Sequence, residues 1–334
     1  MRSALLLYII IFISASCTYS EKQELDQEIM ASMGGKIKTS YTDAVKYMNA
    51  LISEDSTNAE LHIGLAETQI IRYIFGFSSR EETLPDAREA FHKAYLLDSL
   101  SSEIKTVEGM LSMLDWRWSS AEEAFRKAIV LDPTNLKARH WYSLYHSVMG
   151  DFDKAMAQSD TISTMDTARN YLIGRGSLLY FARRNQELKE LMIEVVEMDT
   201  SVAWGYDWLG MAYIELEDYQ NSIDTYYKAF GLSDGTVEVG GGLGHALGLA
   251  GELKPAKEMA EFYRAQSEDH YLPPVQRAFI HIGIGEYDEA FKLLEQAYEE
   301  NSWFLAFIQV EPWLDPLRDD PRFDRLVEKM NFPS

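Results

Sequence analysis

From Asp115 to Ala155 the chain reads DWRWSSAEEAFRKAIVLDPTNLKARHWYSLYHSVMGDFDKA, and the features of this stretch return at a fixed interval. Ala121, Phe125 and Ala128 recur at the spacing of one helical face. Pro133 cannot continue that helix, so the spacing predicts a turn and a second helix from about Leu136. Trp118 and Phe152 are 34 residues apart, and so are Ala121 and Ala155. The same register holds Leu188, Ser222, Ala256 and Ala290, all uncharged and most of them small. A second register, Ser143, Gly176, Gly210 and Gly244, marks where a first helix lets its partner come close. A helix pair repeated in this way has one apolar face more than it can cover alone. It must therefore stack on the next pair and bury a continuous core.

A period of about 34 with a small, aromatic, Ala, Phe, Ala, Pro pattern resembles the tetratricopeptide repeat. The expectation is an all-α fold, a tetratricopeptide-repeat right-handed superhelical solenoid of about seven helix pairs over residues 41–301. A lone helix around YTDAVKYMNALISED comes first, then pairs starting near Ala59, Ser102, Leu136, Ala168, Ala203, Val237 and Tyr271. In the first pair the loop GFSSREETL reads as an insertion, with the second helix starting at Pro85. Residues 302–334 lose the period at Pro312, Pro316 and Pro321 and read as an atypical C-terminal capping segment. The order LPDAREAF, DWRWSSAEEAFRKAIVLDP, ARHWYSLY, LLYFARR, IGIGEYDEAFKLLEQAYEE and VEPWLDPLRDDPRF is similar to one group in particular. That group is the tetratricopeptide region following winged-helix regulators, adenylate cyclases and serine/threonine kinases in bacteria. The resemblance spans about Tyr41 to Met330 and implies a regulatory or partner-binding module, here without the effector part.

Residues 1–16, MRSALLLYIIIFISAS, read as a secretory signal peptide: one arginine, an apolar run from Ala4 to Ile13, then small residues. That run is about half of what a bilayer-spanning helix needs. Cys17, the one cysteine of the chain, follows directly. The site resembles the lipobox of bacterial lipoproteins, although Ser14 stands where that motif carries a large aliphatic residue. The resemblance implies lipidation at Cys17 and a membrane attachment through an N-terminal lipid anchor in the cell envelope. A soluble exported protein cut at the same place is the alternative. Residues 17–40 are polar and read as a tether.

A net charge of −22, with no basic run longer than a pair such as Arg183-Arg184, argues against nucleic acid as a partner. The run VGGGLGHALGLAG is not a phosphate loop, because no strand pattern precedes it and Gly244 falls in the repeat register. The seven histidines show no ligand spacing, so no metal and no cofactor are expected. No Gly-x-Ser-x-Gly elbow supplies a nucleophile.

In tetratricopeptide arrays the first helices of the pairs line a concave groove. Carried onto this register, its polar and aromatic positions are Lys137, His140, Asn170, Tyr180, Trp204, Asp207, Glu215, Glu238 and His245. Met110, Met113, Phe181 and Met211 are the apolar ones. Aromatic and methionine side chains adapt to peptide side chains, and scattered polar groups hold a backbone. The expected function is a non-catalytic scaffold that binds a protein or peptide. The alternative is an outer-membrane lipoprotein that captures a glycan or nutrient.

Overall fold

The computed structural model describes residues 36–165, 169–233 and 235–333. All regular elements among them are helical. A single helix α1 (Lys36–Glu54) precedes seven antiparallel pairs: α2 (Ala59–Ile74) with α3 (Arg80–Leu97), α4 (Ser102–Leu114) with α5 (Trp118–Leu131), and α6 (Leu136–Val148) with α7 (Phe152–Met165). Then come α8 (Arg169–Phe181) with α9 (Asn185–Met198), α10 (Ala203–Glu215) with α11 (Tyr219–Leu232), α12 (Val237–Leu249) with α13 (Leu253–Gln266), and α14 (Pro274–Gly283) with α15 (Tyr287–Glu299). Two short 3-10 helices, η1 (Trp303–Phe307) and η2 (Pro312–Leu317), and a last helix α16 (Pro321–Lys329) complete the chain. The signal peptide, Cys17 and most of the tether lie outside the described residues. None of the described helices is long and apolar enough to cross a membrane.

The turn inside each pair is the same device repeated. Trp116, Gly150, Arg183, Glu217, Gly251 and Gly285 all adopt positive φ, between 54° and 83°, at intervals of 33 or 34 residues. At the first of them the amides of Trp116 and Arg117 return to the carbonyls of Met113 and Ser112, at 3.1 and 2.9 Å. This is the left-handed helix stop that satisfies the last orphan carbonyls. Half of these positions are not glycine and carry a strain of roughly 1–2 kcal/mol each, which the tertiary packing must hold. Between the helices of a pair the small register does what its size predicts. Ala121, Ala155, Leu188, Ser222, Ala256 and Ala290 are all fully buried. A Cβ on Gly210 would lie 2.6 Å from the Tyr226 ring, and one on Gly109 would lie 2.4 Å from Phe125.

The glycine run is helix α12. Glycine is required there because neighbours press on it from several sides: a Cβ at Gly244 would meet Ile280 at 2.8 Å, and one at Gly248 the backbone of Gly283 at 2.4 Å. One expected boundary moves. Helix α3 starts at Arg80, not at Pro85, because Ser79 and Glu82 form a reciprocal capping box. The expected long loop is thus mostly an extra helical turn, with Pro85 near its start.

The stack closes on itself. The Tyr73 hydroxyl, at the end of α2, donates to the Asn301 carbonyl at 2.8 Å and accepts from the Trp303 amide at 3.0 Å. Trp116 stacks on Tyr298 at 5.6 Å, and Trp118 on Phe332 at 4.9 Å. The Trp118 indole also donates to the Met330 carbonyl at 3.0 Å. The last pair and the C-terminal segment therefore dock on the first two pairs, and η1 and η2 run into the concave interior.

Candidate binding surface on the inner face

The first helices of the pairs, α2, α4, α6, α8, α10, α12 and α14, form the inner wall, and the wall has two parts. Where α8, α10 and α12 end, the C-terminal segment covers them. The Tyr180 hydroxyl donates to the Glu311 carboxyl. Phe181 lies flat on Phe307, 4.6 Å apart at 9°. His245 lies flat on Trp313, 4.5 Å apart at 23°, and its Nδ1 donates to the Phe279 carbonyl at 2.8 Å. Trp303 meets Trp141 edge-on at 5.7 Å. At the rim Asp315 is held by Arg183 and Arg318, each at 2.7 Å. Burial pushes the carboxyls of Glu311 and Glu215 up to about 7 and the His245 imidazole down to about 4.

Tyr180 and His245 are therefore not open to a ligand. The same holds for Met110, Met113, Phe181 and Met211, all of them buried. For Tyr180, Phe181 and His245 the physical reason is that the C-terminal segment is itself strongly apolar and packs on them. Trp303, Leu305, Phe307, Ile308, Trp313, Leu314 and Leu317 are all buried. At roughly 1.5–3 kcal/mol for each large apolar side chain, their burial outweighs the about 8 kcal/mol of a micromolar ligand. A peptide would not displace them.

Where α10 and α12 begin, the turn after α2 lies against the wall in place of the C-terminal segment. Trp204 is half-buried and meets Phe75, from the turn after α2, at 5.5 Å and 38°. Phe75 meets Phe77 at 5.8 Å, and Phe77 meets Tyr41 at 6.0 Å, so four rings run from α1 to α10. One turn beyond Trp204 lies Asp207, 7% exposed, with no hydrogen bond or ion pair to any described residue. Burial first, and then the neighbouring Glu238 carboxylate, push Asp207 well above the usual carboxylate range. Glu238 is pushed up to about 7 by burial. Farther along, Lys137 reaches across to Glu67 on α2 at 2.6 Å. His140 packs on Gly174, where a Cβ would lie 2.8 Å from its Cε1, and burial pushes it down to about 4. Asn170 falls in the first turn of α8, and its side chain lies outside the described residues.

The structure thus brings Trp204, Asp207 and Glu238 together, places Lys137 and His140 apart from them on α6, and covers Tyr180, Glu215 and His245. Phe75, Phe77, Tyr41 and Glu67 line this part of the wall from outside the positions that the repeat register marks. Phe75-Gly76-Phe77 carries a signal in the sequence: two aromatic residues around a glycine, outside any repeat position. Among the described residues no three His, Cys, Asp or Glu side chains converge as metal ligands would.

A family model described as tetratricopeptide repeat matches residues 205–235. The comparison with curated proteins finds no match by sequence. Among solved structures, the Cut9 and Hcn1 hetero-tetramer of the APC/C is similar with a TM-score of 0.60 and 12% identity, over 99% of this chain and 63% of that one. The chain thus spans somewhat less than two thirds of that neighbour. A monomeric mutant of IFIT1 with m7Gppp-AAAA matches with a TM-score of 0.62 and 13% identity, over 98% of this chain and 76% of that one. A tetratricopeptide repeat protein from Parabacteroides merdae aligns at 0.48 and 12% identity, over 93% and 98% of the two chains. The first two likenesses establish the fold, and the period, the repeated turns and the matched repeat agree with it: the chain has the tetratricopeptide-repeat fold.

Proposed function

We propose that the chain is a non-catalytic scaffold of the bacterial cell envelope that holds a protein or peptide on the open part of its inner face. The observation that carries this is the half-buried ladder of Tyr41, Phe77, Phe75 and Trp204 beside two carboxyls without counter-ions. Adaptable aromatic surface is where interfaces concentrate their energy. The envelope location rests on residues 1–16 and on lipidation at Cys17. Wild-type protein should then take up labelled palmitate and partition with membranes, and Cys17→Ala should do neither. Attachment needs more than one acyl chain, since one holds only marginally.

The binding reading is tested by cross-linking in intact cells. Trp204→Ala should lose the cross-linked partner while the helical spectrum stays unchanged. Glu123→Ala, whose exposed carboxylate meets only Lys127 on the outer face of α5, should keep it. Retention of the partner by Trp204→Ala would place binding elsewhere. A second reading has one observation behind it: four rings on an uncovered surface also suit a glycan. The Asp207 and Glu238 carboxyls favour a cationic peptide over a neutral sugar, and binding of neutral oligosaccharides but not peptides would reverse that choice.

A further inference from the structure

We propose that residues 311–317 form a latch over the inner wall that pH opens: with Glu311 and Glu215 neutral the segment lies on the ends of α8, α10 and α12, and with both ionised it lifts and bares Tyr180, Glu215 and His245. The scaffold reading concerns the other part of the wall, so the two stand or fall separately.

The segment is fastened through one carboxyl. Glu311, the N-cap of η2, accepts on a single oxygen from the Tyr180 hydroxyl of α8 and from the Trp313 amide, the latter at 3.1 Å. The Trp313 ring then lies flat on His245 at 4.5 Å and edge-on to Phe279 at 4.9 Å. Glu215, the last residue of α10, faces the same ring. On either side the chain has its own anchors: Phe307 lies on Phe181 at 4.6 Å, and the Met330 carbonyl accepts from the Trp118 indole at 3.0 Å. Between them η2, a 3-10 helix of 6 residues, is the piece of this interface that can move, because α8, α10 and α12 are each packed between neighbouring helices.

The charges around Glu311 give its ionised form no partner among the described residues. Arg183 of α8 and Arg318 both close on Asp315 at 2.7 Å, and Arg318 reaches the Glu311 carbonyl at 3.1 Å, not its carboxyl. The other titratable neighbours are Tyr180 of α8, Glu215 of α10 and Tyr226 of α11, all acids, and His245 of α12, which burial holds down to about 4 and therefore neutral. From α14 comes the Phe279 ring. Burial above all pushes Glu311 and Glu215 up to about 7, and Glu215 adds to the shift at Glu311. Both values lie above the unfolded value of about 4.3. The neutral pair therefore holds the segment fully below the unfolded value, and that hold is lost as pH rises through about 7. A buried carboxylate without a cation is costly, and lifting η2 gives both of them water.

The test is amide hydrogen exchange on the full-length protein, corrected for the intrinsic pH dependence of exchange. The amides of Trp313, Leu314 and Arg318 are bonded within the segment to Glu311 and Asp315. Between pH 6 and 8.5 they should lose at least about tenfold of their protection, while α3 and α5 keep theirs. Glu311→Gln retains the acceptor and cannot ionise, so it should keep its protection at the higher pH. Glu215→Gln should show a smaller loss than the wild type. At pH 8.5 diethyl pyrocarbonate should modify His245 about tenfold faster in the wild type than in Glu311→Gln, a comparison in which intrinsic reactivity cancels. Unchanged protection in the wild type, or an equal loss in all three proteins, overturns the latch. A parallel loss in α3 and α5 means global unfolding and overturns it too. Equal modification of His245 in the two proteins overturns the baring of the wall. If Glu311→Gln does not fold, Glu215→Gln decides, by a loss smaller than the wild type's or equal to it.

Discussion

Helices α10 and α12 carry two different surfaces on one face. At their ends Glu215 and His245 lie beneath Trp313, in an interior filled by the protein's own C-terminal segment. Two to three turns earlier on the same face, Trp204, Asp207 and Glu238 look across at Phe75 and Gly76, with no such segment over them. Both sets belong to the inward-facing positions of the first helices. A repeat determines which side chains point inward, whereas the path of the chain after the last repeat decides which of them become core.

The comparison breaks most sharply at the covered end. Trp313→Ala, which removes the ring packed on His245, Phe279 and Tyr180, should cost about 3–5 kcal/mol of stability in denaturant unfolding. Trp303→Ala should cost a similar amount. A chain ending at Ser302 that melted within a few degrees of the full protein would show that the segment is a lid on the array and not its core.

The next effect depends on pH. Glu311 is 7% exposed and titrates at about 7, above its unfolded value. Its neutral form therefore favours the fold fully below the unfolded value of about 4.3, and that contribution is lost as pH rises through about 7. Glu311→Gln keeps an acceptor for Tyr180 and cannot ionise. Between pH 5 and 8 it should gain about 3 kcal/mol relative to the wild type. Parallel stability curves for the two proteins over that range would mean that Glu311 stays solvated.

The repeat register was legible because it repeats: six small or uncharged positions are all fully buried, and six turns stop in the left-handed region in step. The filled interior was not, because it rests on contacts between residues far apart in sequence, such as Tyr180 with Glu311 and Trp118 with Met330. A hint was present. WFLAFIQVEPWL is more apolar than a cap facing water should be, and a segment of that composition must bury itself somewhere. The inner-face positions were legible only as positions. Trp204 and Tyr180 share a helical face and a repeat logic, and only the chain end tells them apart.

At the open end the expected change is in binding more than in stability. Trp204 is half-buried, so Trp204→Ala should weaken the partner by on the order of 2 kcal/mol and leave the melting curve close to that of the wild type. A large loss of stability with no selective loss of binding would join Trp204 to the covered part of the wall.

The smallest effects come from two hydroxyls. Tyr180 and Tyr226 are both fully buried on or behind the same wall. The Tyr180 hydroxyl has Glu311 as an acceptor, while that of Tyr226 has none among the described residues. Removing one partner of a buried hydrogen bond leaves the other unmet, so Tyr180→Phe should cost about 1–3 kcal/mol. Removing an already unmet group restores nothing and strands nothing, so Tyr226→Phe should be neutral or slightly stabilising in the free protein. Equal losses of stability in the two variants would mean that the Tyr226 hydroxyl, like that of Tyr180, has a partner in the folded protein.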